Sequence, residues 1–188
     1  TSPAIDSVTW RPTPDGVQFY VNTHDASAST RYYRWEFEET WEYNSVYQSS
    51  FKRVGGLPVL RSHDEMIYIC WRTLPSTNIM LSSSQRLNED RISDYPINFV
   101  PRGSIKLSRR YSLLVRQYAL SEEAFNYWQQ LQKTTENLGG LFDPLPARVT
   151  GNMHNKTDAG EVVLGYFDAG ARQEKRIFIG YRDLPRHL

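Results

Sequence analysis

Cysteine is almost absent: Cys70 is the only one among 188 residues. No internal disulfide framework and no cysteine-based zinc cluster can therefore form within the chain. Its neighbours, Ile67-Tyr68-Ile69-Cys70-Trp71, read as a strand, so the thiol is expected to be a small buried hydrophobe. A catalytic thiolate is disfavoured because no nearby His or basic helix end is evident to lower its pKa. Long apolar runs are missing too. The longest, such as Leu113-Leu114-Val115, fall far short of the roughly 20 residues that a spanning helix needs. No membrane crossing is expected of these residues.

Net charge is nearly absent: 22 Lys and Arg stand against 21 Asp and Glu, leaving +1. Such a chain has no global field to gather nucleic acid or an anionic membrane, and no nucleic-acid partner is expected. Gly and Pro, at 11 and 10 residues, are near average usage, which excludes collagen-like and linker-like chains. The phosphate-cradling glycine patterns, the HExxH zinc motif, the GxSxG elbow and the EF-hand loop do not occur. No cofactor is expected. A site assembled from scattered residues stays open, because such sites are recognised by geometry.

Aromatic residues, by contrast, are plentiful: 12 Tyr, 8 Phe and 5 Trp in a chain only 39% hydrophobic. That mixture suits half-buried β surfaces. A chain of this length buries roughly 70% of its unfolded surface, enough for one domain over residues 1–188 without staples.

The pass along the chain starts with a hairpin. Ile5 to Trp10 and Gln18 to Asn22 flank a Pro12-Pro14-Asp15-Gly16 turn, with Val17, Phe19 and Val21 as the core set. Strict alternation follows over residues 32–43. One face carries Tyr33, Trp35, Phe37, Glu39, Trp41 and Tyr43; the other carries Arg34, Glu36, Glu38 and Glu42. Glu39 interrupts the apolar face, so the strand is expected to leave the core midway and expose Trp41 and Tyr43. Residues 44–66, with Gly55, Gly56 and Pro58, read as a long excursion with one short strand at Phe51 to Val54. Strands are also expected at Met66 to Trp71, Asn78 to Ser82, Ile97 to Val100 and Arg110 to Leu120, with a loop over Ser83 to Tyr95. A helix over about 121–138 starts at the Ser121 cap, has Glu122 and Glu123 in its first turn and stops at Gly139-Gly140. Its Ala124, Trp128, Leu131 and Leu138 face the core. A closing hairpin pairs Glu161 to Phe167 with Lys175 to Ile179. The fold class is mainly β: an antiparallel β-sandwich, immunoglobulin- or fibronectin-like, with one inserted amphipathic helix.

Two clusters invite a chemical reading. Gly151-Asn152-Met153-His154-Asn155, with Asp143 and Asp158 near in sequence, can hold a metal or orient a sugar hydroxyl. The structural alternative weighs more: Asn and Gly are turn residues, and Asn side chains satisfy backbone that no ladder pairs. The basic stretch Arg102, Lys106, Arg109, Arg110 and Arg116 can face lipid headgroups, a polyanion or an acidic partner. Its structural alternative is pairing with Glu36, Glu38 and Glu42 across a sheet, and this is the favoured reading.

Three stretches carry a resemblance: YYRWEFEETWEY at 32–43, SLLVRQYALSEEAFNYWQQLQKTTENLGGLFDPLPARVTGN at 112–152, and VLGYFDAGARQEKRIFI at 163–179. Together they resemble the Bacteroidota family called domain of unknown function 4249. The resemblance implies an outer-membrane lipoprotein encoded near TonB-dependent receptors of the SusC-like type, without assigned catalytic residues. It also implies a longer protein, tethered by a lipid on a Cys upstream of Thr1, with a partner for Cys70 in a tail beyond these residues. The leading expectation is a non-catalytic envelope module that binds a TonB-dependent receptor or helps it capture a nutrient. Trp41, Tyr43 and the 44–66 excursion are the expected contact surface, with Asn152 and His154 as further interaction candidates for a glycan or peptide. The rivals are a surface glycan or peptide hydrolase built on Asp143, His154 and Asp158, and a purely structural envelope component.

Overall fold

The computed structural model describes residues 2–136, 149–158 and 160–185. Among these residues ten strands and one α-helix run in the order β1 (Ile5–Thr13), β2 (Gly16–His24), β3 (Tyr32–Asn44), β4 (Phe51–Val54), β5 (Leu57–Leu60), β6 (Ile69–Pro75), β7 (Met80–Ser83), β8 (Arg91–Pro101), β9 (Arg110–Leu120), α1 (Glu122–Glu136) and β10 (Arg172–Gly180). All pairings are antiparallel. One sheet has the order β1-β2-β8, and the second has β10-β9-β3-β6 with β7 beside β6 on β3; β4 and β5 pair only with each other.

The arrangement is sandwich-like because the two larger sheets share one core. Val17, Phe19 and Val21 of β2 and Ile97 and Val100 of β8 meet Tyr33, Trp35, Leu113, Val115 and Ile179 of the second sheet. Burying side chains of this size contributes about 1.5–3 kcal/mol each. The β1–β2 turn depends on Gly16, where an added Cβ would stand 2.2 Å from the Val100 carbonyl oxygen.

Polar groups cross this core in satisfied networks. Gln117 is 0% exposed. It accepts from the Trp35 indole at 2.9 Å and donates to the Thr23 hydroxyl at 3.0 Å and the Pro3 carbonyl at 2.9 Å. Trp35 and Gln117 are register partners on β3 and β9, whereas Thr23 lies on β2. One amide therefore spans both sheets.

Glu39 overturns an expectation. The strand does not leave the core there: Glu39 is buried, and Trp41 beyond it is only 4% exposed. The Tyr111 hydroxyl donates to the Glu39 carboxylate at 3.0 Å, Lys106 supplies a charge partner, and Asn98 donates to Tyr111 at 2.8 Å. Burial, and then the Glu39 charge, hold the Tyr111 phenol well above its ordinary 10.0. The alternation was sound; a buried carboxylate with two donors simply continues it.

Other boundaries shift. β8 starts at Arg91, inside the expected Ser83 to Tyr95 loop, and β6 runs to Pro75 instead of ending at Trp71. The expected strand from Glu161 to Phe167 is not formed; those residues are irregular, and β10 pairs with β9 instead. α1 starts where Ser121 caps it, its hydroxyl accepting the Ala124 N–H at 3.1 Å. Its buried residues are Ala124 and Phe125, while Trp128 is half-buried and stacks 4.3 Å from the Arg34 guanidinium. Leu138, expected on its apolar face, lies outside the described residues.

Asp25 organises the β2–β3 connection. Its carboxylate accepts from the backbone N–H groups of Ser27, Ser29 and Thr30 and from the Ser27 and Ser29 hydroxyls. The Ser27 hydroxyl first, and the backbone donors with it, hold the Asp25 carboxyl well below its ordinary 3.8.

Two predictions follow from these networks. Gln117→Leu leaves the Trp35 indole and Thr23 hydroxyl without this partner, and a loss of about 1–3 kcal/mol is expected in urea denaturation. An unchanged midpoint would remove the amide's structural role. Because folding depresses the Asp25 pKa, its contribution is present above about pH 4 and lost as pH falls below that. Asp25→Asn is expected to lower stability at about pH 7 and to flatten the fall toward about pH 3; parallel stability curves for the two proteins would contradict this.

Candidate functional site

The most unusual surface lies in the 44–66 excursion. Gly55 and Gly56 take φ of 55° and 89°, the two positive values a type I′ turn requires. They close a two-residue hairpin in which Phe51 opposes Leu60 and Val54 opposes Leu57. Apolar side chains stand on both of its faces and neither face is covered. Leu57 is 69% exposed, and Phe51, Val54, Val59 and Leu60 are also exposed. Tyr47 beside it is 86% exposed. A lone two-stranded hairpin is marginal in water.

Polar contacts hold its base. Lys52 pairs with Glu65, which also accepts the Ser62 N–H at 3.1 Å. The Lys52 hydrogen bond, and then the Ser62 N–H, hold the Glu65 carboxyl below its ordinary 4.5. Arg61 donates to the Phe51 carbonyl at 3.2 Å. The chain returns through Ile67 into β6, whose inner edge pairs with β3 and whose outer edge has no strand partner among the described residues. Ile69 and Trp71 stand exposed on the outer face of β6, with Ile67 exposed just before it and Leu74 on the opposite face. Arg53 and Arg61 have no carboxylate within 4.0 Å among the described residues, whereas Lys52 is paired with Glu65 and Arg72 lies over the Trp41 ring.

Trp41 and Tyr43 do not belong to this surface. Trp41 is buried and Tyr43 half-buried against the core, because β3 carries its apolar face to its end. Cys70, opposite Tyr43 on β6, is a free thiol and half-buried.

In the Asn152–Asn155 segment the two asparagine side chains bond backbone. The Asn152 side chain accepts the Phe167 N–H and donates to the Phe167 carbonyl, each at 2.8 Å. Gly151 packs against Gly165 so closely that a Cβ would sit 1.6 Å from the Gly165 oxygen. Asn155 closes a turn by accepting from Thr157 and Asp158 backbone N–H groups. His154 is exposed and lines a recess of about 320 Å³ with Glu161. Asp158 accepts the Gly160 N–H at 2.8 Å, turned onto its own loop, and Asp143 lies outside the described residues. Among the described residues, no three His, Cys, Asp or Glu side chains gather as a metal site.

The basic stretch pairs largely as expected, with one exchange of partner. Arg109 donates to Glu42 at 2.6 Å, Arg116 reaches Glu38 at 3.5 Å and Glu174 at 3.0 Å, and Lys106 takes the buried Glu39. Arg102 and Arg110 have no carboxylate within 4.0 Å among the described residues. Among the described residues no helix is long and apolar enough to cross a membrane.

Asn152→Asp keeps the acceptor for Phe167 and removes the donor. The 149–167 segment is expected to become more susceptible to limited proteolysis, with a local loss of about 1 kcal/mol and the sandwich melting unchanged. Cleavage at the parental rate would show that the bidentate pairing holds nothing.

No curated protein and no solved structure matches this chain. A family model does, over residues 1–176, nearly the whole of the sequence. The chain belongs to the family described as a domain of unknown function, DUF4249.

Proposed function

We propose that this protein is a non-catalytic binding module of the cell envelope that docks on a TonB-dependent outer-membrane receptor and assists its capture of a nutrient. The observation that carries the reading is the β4–β5 hairpin: apolar side chains on both faces, none packed on the sandwich. Contiguous exposed apolar surface rimmed by polar groups marks interaction sites, and aromatic anchors such as Tyr47, Phe51 and Trp71 are the residue types that dominate interface energetics. The open outer edge of β6 adds main-chain groups that an extended partner segment can pair. Arg53 and Arg61, the hairpin cations left without a carboxylate, suit a partner surface that is apolar with acidic groups at its margin. Family membership supports the envelope setting, through the resemblance to lipoproteins encoded near such receptors.

The test is co-purification of the full-length precursor from envelopes solubilised in mild detergent. The receptor is expected in stoichiometric amount with the parental protein. It is expected to fall at least tenfold with the triple variant Phe51→Ser, Leu57→Ser and Leu60→Ser. Because these side chains are exposed, the variant should melt where the parent does. Equal recovery of the receptor with both proteins, or clean recovery of the parent alone, overturns the reading.

A further inference from the structure

A second feature lies at the far end of β3, on the outer face of its sheet. Glu42 of β3, Arg110 of β9 and Gly180 of β10 are register partners in one row across three strands. Gly180 adds no side chain to that row, and a recess of about 580 Å³ opens there. It is lined by Glu42, Asn44, Ser108, Arg109, Arg110, Gly180, Tyr181 and Arg182. A space of this size accommodates a small-molecule ligand.

Its charge is one-sided once internal bonds are assigned. Arg109 is held by Glu42 at 2.6 Å and by the Asn44 side-chain oxygen Oδ1 at 2.8 Å, so the one lining carboxylate already has its cation. The Asn44 amide donates to Tyr68, and the Ser108 hydroxyl to the Ile105 carbonyl. Asp183, next along the chain, turns its carboxylate back onto the Gly180 N–H at 2.7 Å. Arg110 has no carboxylate within 4.0 Å, and Arg182 bonds only the Tyr181 phenol, at 3.1 Å, among the described residues. Two guanidinium groups thus open on the recess with their charge uncompensated, beside a third that is fixed in place.

We propose that this recess binds a phosphate-bearing ligand, its oxyanion held by the Arg110 and Arg182 guanidinium groups with Arg109 behind them. Guanidinium forks match the oxygens of a phosphate bidentately and remain charged at all working pH values. A hydroxyl-bearing remainder of the ligand has the exposed Tyr181 phenol as a further partner. The same phosphate chemistry can arrive on a soluble phosphate ester or on a phospholipid headgroup. The proposal stands apart from the hairpin and does not depend on it.

Calorimetric titration of the chain with inorganic phosphate and pyrophosphate, at fixed ionic strength, addresses the soluble source. Sedimentation with phosphatidylglycerol vesicles, against phosphatidylcholine vesicles, addresses the headgroup. Saturable binding is expected in at least one arm. It should weaken about tenfold or more in Arg110→Gln with Arg182→Gln. A smaller loss is expected in Arg110→Lys with Arg182→Lys, which keeps charge but not the fork. Arg86→Gln, at an exposed arginine of the β7–β8 connection outside the recess, should bind as the parent does. Pyrophosphate binding alone identifies a soluble ester, and phosphatidylglycerol binding alone identifies a headgroup. Absence of saturable binding in both arms, or binding equal in the parent and the double Gln variant, overturns the proposal. So does equal weakening by Arg86→Gln, which would reduce the effect to net charge.

Discussion

The primary amide of Gln117 is the group on which the two sheets agree. It is fully buried, and its partners lie on β3, on β2 and in the segment before β1. Apolar burial is non-directional, so it drives the sheets together without by itself selecting which polar groups face each other. Hydrogen bonds inside a dry core do select them, since a displaced partner leaves a buried polar group unpaired. Gln117 thus fixes how β2 lies over β3 and β9, while the aromatic layer of Tyr33, Trp35 and Tyr95 packs around it, with Trp35 and Tyr95 stacked at 4.6 Å.

The same economy of polar groups governs both ends of β3. Near its start, the Tyr33 hydroxyl donates to Asp90 at 2.8 Å, and Ser84 donates to the other Asp90 oxygen. Burial and the Asp90 hydrogen bond hold the Tyr33 phenol far above its ordinary 10.0, so the donor stays protonated. Near its end, Glu39 and Glu42 are both buried and each has a cation from the β8–β9 connection, Lys106 and Arg109. These pairs pin that connection to β3. Removing one partner would cost more than the pair itself contributes, because it leaves a charge uncompensated in the interior.

Much of this fold was legible in the residues. Period-two alternation located β1, β2 and β3, the dense apolar run located β9, and the Ser121 cap located α1. Glu39 was misjudged because a carboxylate on an apolar face signals exposure unless its donors are known, and Lys106 and Tyr111 are 67 and 72 residues away. The β4–β5 hairpin was half visible. Gly55-Gly56 between FKRV and LPVL is the two-residue turn signal, but apolar residues on both faces erase the alternation that identifies a strand packed on a core. The 161–167 segment erred the other way: its Val162-Val163-Leu164 run has strand propensity, yet side chains such as Asn152 take up its backbone groups instead of a ladder. The arginine recess was partly visible, since Arg109 and Arg110 belong to the basic stretch, but Arg182 joins them only through the β9–β10 register.

The hairpin and the recess meet at one residue. Asn44 accepts from Arg109 in the recess and donates to the Tyr68 hydroxyl at the root of the excursion, while the Ser45 N–H reaches the Tyr68 carbonyl at 2.9 Å. The excursion therefore leaves and rejoins the sandwich through a closed hydrogen-bonded neck, and its length does not loosen the sheet it springs from. A ligand that draws Arg109 toward an oxyanion competes with Asn44 for the same guanidinium, and Asn44 is half of that neck. Coupling between the two surfaces, if a ligand and a partner bind together, has a short physical route through this one amide, and it is limited to the strength of one or two hydrogen bonds, about 1–3 kcal/mol.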